Sequence, residues 1–161
     1  MGRYIIGIDQ STQGTKGLLV DEDGHLIHRS DRPHKQIVSD AGWVSHDPAE
    51  IAANVFAVAR AVVEETGVDP AEIAGIGISN QRETTVAWDA RTGEPVCDAV
   101  VWQCARAQGV CERVSQVEGA AELVRDHTGL VLSPYYPASK MAWIIENVPA
   151  ARDAAERGDL R

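Results

Sequence analysis

Apolar and polar positions change period several times along this chain, and each change marks an element. Tyr4-Ile5-Ile6-Gly7-Ile8 is a short apolar run closing on Asp9, the pattern of a buried strand with a carboxylate at its C-terminal tip. A turn of small and polar residues, Gln10 to Thr15, separates it from a second run, Lys16 to Val20. Asp21-Glu22-Asp23-Gly24 is a strong turn signal, and His25 to His28 alternates as a third strand. The pattern predicts an opening meander of three antiparallel strands over residues 4 to 30.

The period then becomes helical. Asp47-Pro48-Ala49-Glu50 reads as a cap, a proline suited to the first helical position and a capping-box glutamate. Ile51, Val55, Val58 and Val62 follow at helical spacing, and Gly67 closes the helix. A second Asp-Pro pair at Asp69-Pro70 leads into Ile73 to Ser79, a continuous apolar run that predicts a strand buried on both faces. Thr84 to Trp88 reads as an antiparallel edge strand, and Ala99 to Trp102 as another short buried strand in the same sheet as residues 4 to 30. Beyond it the pattern is helical, roughly Ala105 to Val117, Ala120 to Thr128, Ser139 to Asn147 and Pro149 to Arg157. Pro134 and Pro137 bracket a loop that holds Tyr135 and Tyr136. The order predicts one α/β domain with a mixed sheet and flanking helices.

Composition narrows the function classes. Apolar residues make 44% and charged residues 24% of the 161, which places the chain among folded globular proteins. A net charge of −9 argues against nucleic acid or an anionic membrane as a partner. No apolar run approaches the ~20 residues that span a bilayer, and the N-terminus enters a strand at once, without a signal-peptide pattern. Cys97, Cys104 and Cys111 form no CxxC pair; they read as reduced, partly buried thiols, Cys104 and Cys111 on one helix face, in a cytoplasmic protein. The five histidines show no metal-ligand spacing, and Trp43 and Trp143 read as core.

Three stretches put polar groups at the tips of buried strands, where ligands of open α/β sheets bind. Asp9 can hold Mg²⁺ through water, because Mg²⁺ prefers few carboxylates plus waters and phosphate oxygens. The turn after it, through Lys16, exposes backbone N–H groups and hydroxyls that can wrap phosphates, though it is not a Walker P-loop. Asn80-Gln81-Arg82-Glu83 sets opposite charges directly after an apolar strand; Arg82 donates and Glu83 accepts, which suits adjacent hydroxyls. Trp102-Gln103, with Tyr135 in its proline-framed loop, offers an aromatic wall beside polar groups, a common way to hold a small carbohydrate. Each stretch also has an ordinary reading, as a polar hairpin, a solvated turn or a core aromatic.

In order and spacing these stretches resemble the FGGY family of carbohydrate kinases, and within it the glycerol kinase branch. Ile8-Asp9-Gln10-Ser11-Thr12 is similar to the family's first phosphate motif. Gly42 to Pro48 is similar to its GWVEHDP, Ile76 to Thr85 to its GITNQRETT, and Val100 to Cys104 to its IVWQC stretch. Thr128-Gly129-Leu130, Pro134-Tyr135, Lys140 and Trp143 follow in place. The resemblance implies an actin-like, ribonuclease-H-like ATPase fold and transfer of the γ-phosphoryl of Mg-ATP to a primary hydroxyl of glycerol or a similar polyol. It implies that Arg82, Glu83, Trp102 and Tyr135 line the polyol site, that Thr12, Gln13, Gly14, Thr15 and Lys16 face the ATP phosphates, and that Asp9 acts on Mg²⁺ through water. Phosphoryl transfer is mainly positioning and charge neutralisation, which such groups supply.

The chain departs from the family pattern in two ways. Ser11 stands where the family has glycine, and Gln13-Gly14-Thr15-Lys16 replaces a Thr/Ser-rich stretch ending in arginine. The family's members are also longer, so residues 1–161 are expected to be the N-terminal kinase domain cut before its end, with the second domain and the catalytic base absent and the piece alone inactive. Two alternatives stay open: a kinase of the same family for xylulose, gluconate or erythritol, or a non-catalytic remnant that binds or oligomerises. Homo-oligomerisation is likewise left open.

Overall fold

A computed structural model describes residues 2–161. The strands are β1 (Tyr4–Ser11), β2 (Gly14–Asp21), β3 (Leu26–Pro33), β4 (Ile37–Val38), β5 (Val44–His46), β6 (Ile73–Asn80) and β7 (Ala99–Val100). The helices are α1 (Pro48–Glu64), α2 (Gln108–Ser115), α3 (Ala120–Thr128), α4 (Pro137–Asn147) and α5 (Pro149–Glu156). They gather into two compact units: residues 2–36 with 47–82, and residues 37–46 with 83–161.

The first unit is a mixed sheet in the order β3-β2-β1-β6. The three opening strands form the expected antiparallel meander, with Ser11 opposite Gly14 across a two-residue turn. β6 joins β1 in parallel, which requires a crossover, and α1 supplies it. Asp47 caps α1 by accepting from the Ala49 N–H at 2.8 Å, a contact worth about 1 kcal/mol. Glu50 does not complete a capping box; its carboxylate accepts instead from the Lys35 N–H at 3.2 Å. Ile6, Ile8 and Leu19 from the sheet pack on Val58 and Val62 of the helix. At Gly17 the two layers meet backbone to backbone, since a Cβ there would lie 2.8 Å from the Val58 carbonyl oxygen.

β6 corrects the expectation of burial on both faces: Ile76 is 59% and Ile78 65% exposed. Its apolar run fits a central parallel strand, but among the described residues β6 is the sheet's edge and α1 lies over β1, β2 and β3.

The second unit carries its own antiparallel sheet, β4-β5-β7. This corrects the placement of Ala99 to Trp102 in the first sheet. Ala99 and Val100 pair with His46 and Ser45, and Thr85 bridges Val100 from the other side, so both edges of β7 are taken. Thr84 to Trp88 makes only isolated bridges rather than a strand. Ala87, Val100, Cys104, Ile144 and Ala151 form the core of this unit. Cys104 precedes α2, whereas Cys111 lies within it, so the two thiols do not share a helix face. All three cysteines are free. No helix among the described residues is long and apolar enough to cross a membrane.

Candidate functional site

In the first unit the candidate chemistry sits on the β1–β2 hairpin. Antiparallel register sets Asp9 opposite Lys16 and Lys16 opposite Asp31. The Lys16 Nζ lies 2.7 Å from Asp9 Oδ2, and both side chains remain partly exposed. Thus the carboxylate predicted for Mg²⁺ and the cation predicted for phosphate are paired with each other. Ser11 Oγ donates to the Gly14 carbonyl at 3.0 Å and closes the turn. The strand β3 presses against that turn, because a Cβ on Gly14 would stand 2.6 Å from the Arg32 carbonyl oxygen. A cavity of ≈ 240 Å³ opens here, lined among others by Ser11, Gln13, Gly14, Thr15, Lys16 and Arg32. Thr15 is buried and its hydroxyl oxygen has no partner. A buried hydroxyl left unsatisfied costs free energy, so it is suited to an incoming acceptor. One carboxylate, one ammonium, a hydroxyl and turn amides fit a polyphosphate and a metal held through water.

The other predicted residues follow β6: Arg82 closes the first unit, and Glu83, Trp102 and Tyr135 belong to the second. Gln81 extends the pairing of β6, its N–H donating to the Gln10 carbonyl at 2.6 Å, and Arg82 ends the first unit with its side chain exposed. Glu83 has φ 65°, alone among the described non-glycine residues in the left-handed region. Such a conformation costs on the order of 1–3 kcal/mol and persists only where surroundings enforce it. Part of that enforcement comes from its neighbour: Thr84 Oγ1 accepts from the Trp102 N–H at 3.2 Å. The Trp102 ring meets Tyr135 edge to face, centroids 5.8 Å apart, and Tyr135 meets Tyr136 in the same manner at 5.1 Å. The second unit therefore brings Glu83's segment, Trp102 and Tyr135 together; Gln103 is exposed and makes no side-chain hydrogen bond among the described residues.

Two cations missing from the polar stretches organise this unit. Arg106 lies between Trp43 and Trp143, its guanidinium carbon 5.2 Å from each ring centroid. Its N–H groups reach Cys104 Sγ at 3.1 Å, the Val44 carbonyl at 3.1 Å and Ser45 Oγ. The tryptophans read as core are thus walls of a cation site, Trp43 remaining 38% exposed. Burial pushes the Cys104 thiol up, but the N–H donors of Arg106 and Val44 outweigh it and leave the thiol below its usual range. Lys140, on α4, is fully buried, and burial lowers its pKa against the opposing fields of Cys104, Glu83 and Cys111. A cation packed on aromatic rings or carbonyls leaves no trace in hydrophobic periodicity, so pattern alone does not mark Arg106 or Lys140. The ligand atoms of Asp21, Asp23 and His25 come within 4.8 Å of one another, but the N–H groups of Asp23 and His25 already bond Asp21 Oδ1 within the turn.

The family model described as the N-terminal domain of the FGGY family of carbohydrate kinases matches residues 4–158. The chain is 45% identical over 157 residues to glycerol kinase 1 of Thermotoga maritima, covering 98% of this chain and 32% of that protein. It is 46% identical over 160 residues to the glycerol kinase of Marinomonas sp., covering 99% and 32%. Among solved structures it is similar to Plasmodium falciparum glycerol kinase with ADP, at TM-score 0.86 and 31% identity, covering 98% of this chain and 31% of that one. The chain spans about a third of the length of these relatives.

Proposed function

The chain belongs to the FGGY family of carbohydrate kinases, and from that premise we propose that it supplies the polyol-binding and phosphate-gripping parts of an ATP-dependent glycerol kinase. The observation that carries the reading is the aromatic pair Trp102–Tyr135, tied through Thr84 to the segment holding Glu83. Glycerol offers C–H faces for the rings and adjacent hydroxyls for Arg82 and Glu83. The hairpin residues Thr12 to Lys16 take the phosphates of ATP, and Asp9 takes Mg²⁺ through water. Bound Mg²⁺ would neutralise charge on the transferring group; what this chain does is orient the acceptor and hold the phosphates. In this reading Lys16 exchanges Asp9 for phosphate when nucleotide arrives.

The same proposal sets the protein in the cytoplasm with reduced thiols, and without nucleic acid or membrane as a partner, in keeping with its net charge of −9. The 161 residues alone transfer no phosphoryl group, because none of them matches the family's base. The serine at position 11 and the lysine at 16 favour one second reading, a kinase of the same family for xylulose or another sugar. Titration of the chain with glycerol, xylulose and gluconate, followed by tryptophan fluorescence, decides between the two, and a coupled ADP-release assay tests the absence of turnover. Preference for a sugar over glycerol would overturn the glycerol assignment.

A further inference from the structure

Tyr135 is 43% exposed, so burial does not fix its ring. The loop that carries it is fixed from inside instead. The Lys140 ammonium, from the first turns of α4, donates to the carbonyl oxygens of Pro134, Tyr135 and Tyr136, the last at 3.4 Å. Three consecutive carbonyls thus converge on one buried charge, and no carboxylate joins them in an ion pair among the described residues. The placement is unfavourable by itself. A cation near a helix N-terminus opposes the helix dipole, and a buried ammonium without a carboxylate is costly. A side chain serving only to fill space would do better as methionine or leucine. Among the described residues the converging carbonyls are the hydrogen-bond acceptors of that charge, and they belong to the loop that presents Tyr135 to Trp102.

We propose that Lys140 is a positioning residue for the acceptor site: by gathering the carbonyls of Pro134 to Tyr136 it sets the edge-to-face contact of Tyr135 with Trp102. The functional part of this inference rests on the polyol reading above; the positional part does not. Lys140 touches no substrate in this role and acts through the loop. Ser133 assists, its Oγ accepting from the Tyr135 N–H at 3.2 Å, but a hydroxyl on the same loop cannot anchor that loop to α4.

The test uses the 161-residue chain with Tyr135 and Trp102 labelled for NMR, comparing the native protein with Lys140→Met and Lys140→Arg. The ring-to-ring nuclear Overhauser effect reports position, and glycerol titration of the Trp102 indole N–H reports affinity. The methionine variant should lose the ring contact while the Val100 and Ala151 amides of the same unit's core stay in place, and glycerol affinity should fall about tenfold, or about 1.4 kcal/mol. The arginine variant should restore much of both. A methionine variant that keeps the ring contact at native strength overturns the proposal. Loss of the contact with unchanged glycerol affinity supports the positioning role and removes the polyol reading instead.

Should the methionine variant not fold, the native chain is titrated with base. The Cε carbon of Lys140 reports its own deprotonation. Glu83, Cys104 and Cys111, the groups whose fields reach it, and the phenols of Tyr135 and Tyr136 are followed by their own shifts. The ring contact should weaken in step with Lys140; a contact unchanged once that amine is neutral overturns the proposal.

Discussion

The hairpin in the first unit and the aromatic corner in the second hold candidate ligand groups by opposite means. The hairpin is backbone on backbone: Asp9, Thr15 and Lys16 stand on paired strands, and Gly17 lets α1 approach to contact. Its geometry follows from sheet register, held by the packing of Ile6, Ile8 and Leu19 on α1. The aromatic corner is loop on loop. Glu83 sits in a left-handed conformation, Trp102 hangs from Thr84, and Tyr135 is presented by a loop wound on Lys140. There, individual side chains carry the geometry, so single substitutions should move ligand binding more than stability. In the hairpin the order should be reversed.

The largest expected effect is on the residues proposed for the polyol. Arg82→Ala removes a charged donor to a hydroxyl, worth roughly 1.5–3 kcal/mol, or about 10- to 10²-fold in polyol affinity. Calorimetry should show that loss with thermal stability nearly unchanged. An equal loss of affinity for pyrophosphate would break the comparison, because it would put Arg82 on the phosphates. On the hairpin side, Gly17→Val drives a side chain into the Val58 carbonyl. Overpacking of this kind costs typically about 1–3 kcal/mol, and a lowered unfolding midpoint in urea checks it. A Gly17→Val chain as stable as the native one would mean that the close contact between β2 and α1 is not tight in solution.

Glu83→Asn gives a smaller and more diagnostic effect. Asparagine tolerates the left-handed region better than glutamate, so the variant should gain about 0.5 kcal/mol or more of the ~1–3 kcal/mol of strain while losing polyol affinity. Stability and binding moving in opposite directions is the signature of strain held at a site. The smallest effect is in acid. The Arg29 side chain lowers the Asp31 carboxyl in the first unit, and the Arg91 N–H is the main cause that lowers Asp89 in the second. Depressed carboxylates add stability that is present above their ordinary value of 3.8 and is lost as pH falls through the depressed value. Asp31→Asn and Asp89→Asn should each flatten the decline of stability below about pH 4, as followed by circular dichroism.

What was legible in the sequence follows the same division. The hairpin could be read from turn residues and strand period, because those are local, and Asp47-Pro48 announced α1 for the same reason. The fate of Ala99-Val100 could not be read, because two short strands, residues 44–46 and 99–100, find each other across more than fifty residues. Nor could the exposure of Ile76 and Ile78, since an apolar run states what a strand is suited to and not what lies on it. The roles of Trp43 and Trp143 as walls around Arg106 were hidden because an aromatic residue at core spacing looks alike whether it packs on leucine or on guanidinium. Arg82, Glu83, Trp102 and Tyr135 are legible from their positions in motifs, whereas a motif marks Lys140 without showing the three carbonyls that converge on it.

The central claim is that polyol and phosphate belong to different parts of this chain. Its most direct test is a two-ligand NMR titration of the 161 residues, first with glycerol and then, on a fresh sample, with pyrophosphate and Mg²⁺. The account predicts that glycerol shifts the Trp102 indole, the Tyr135 ring and the Arg82 guanidinium and leaves Thr15 and Lys16 in place, and that pyrophosphate does the reverse. Glycerol shifts confined to the hairpin, or pyrophosphate shifts centred on Trp102 and Tyr135, would contradict it.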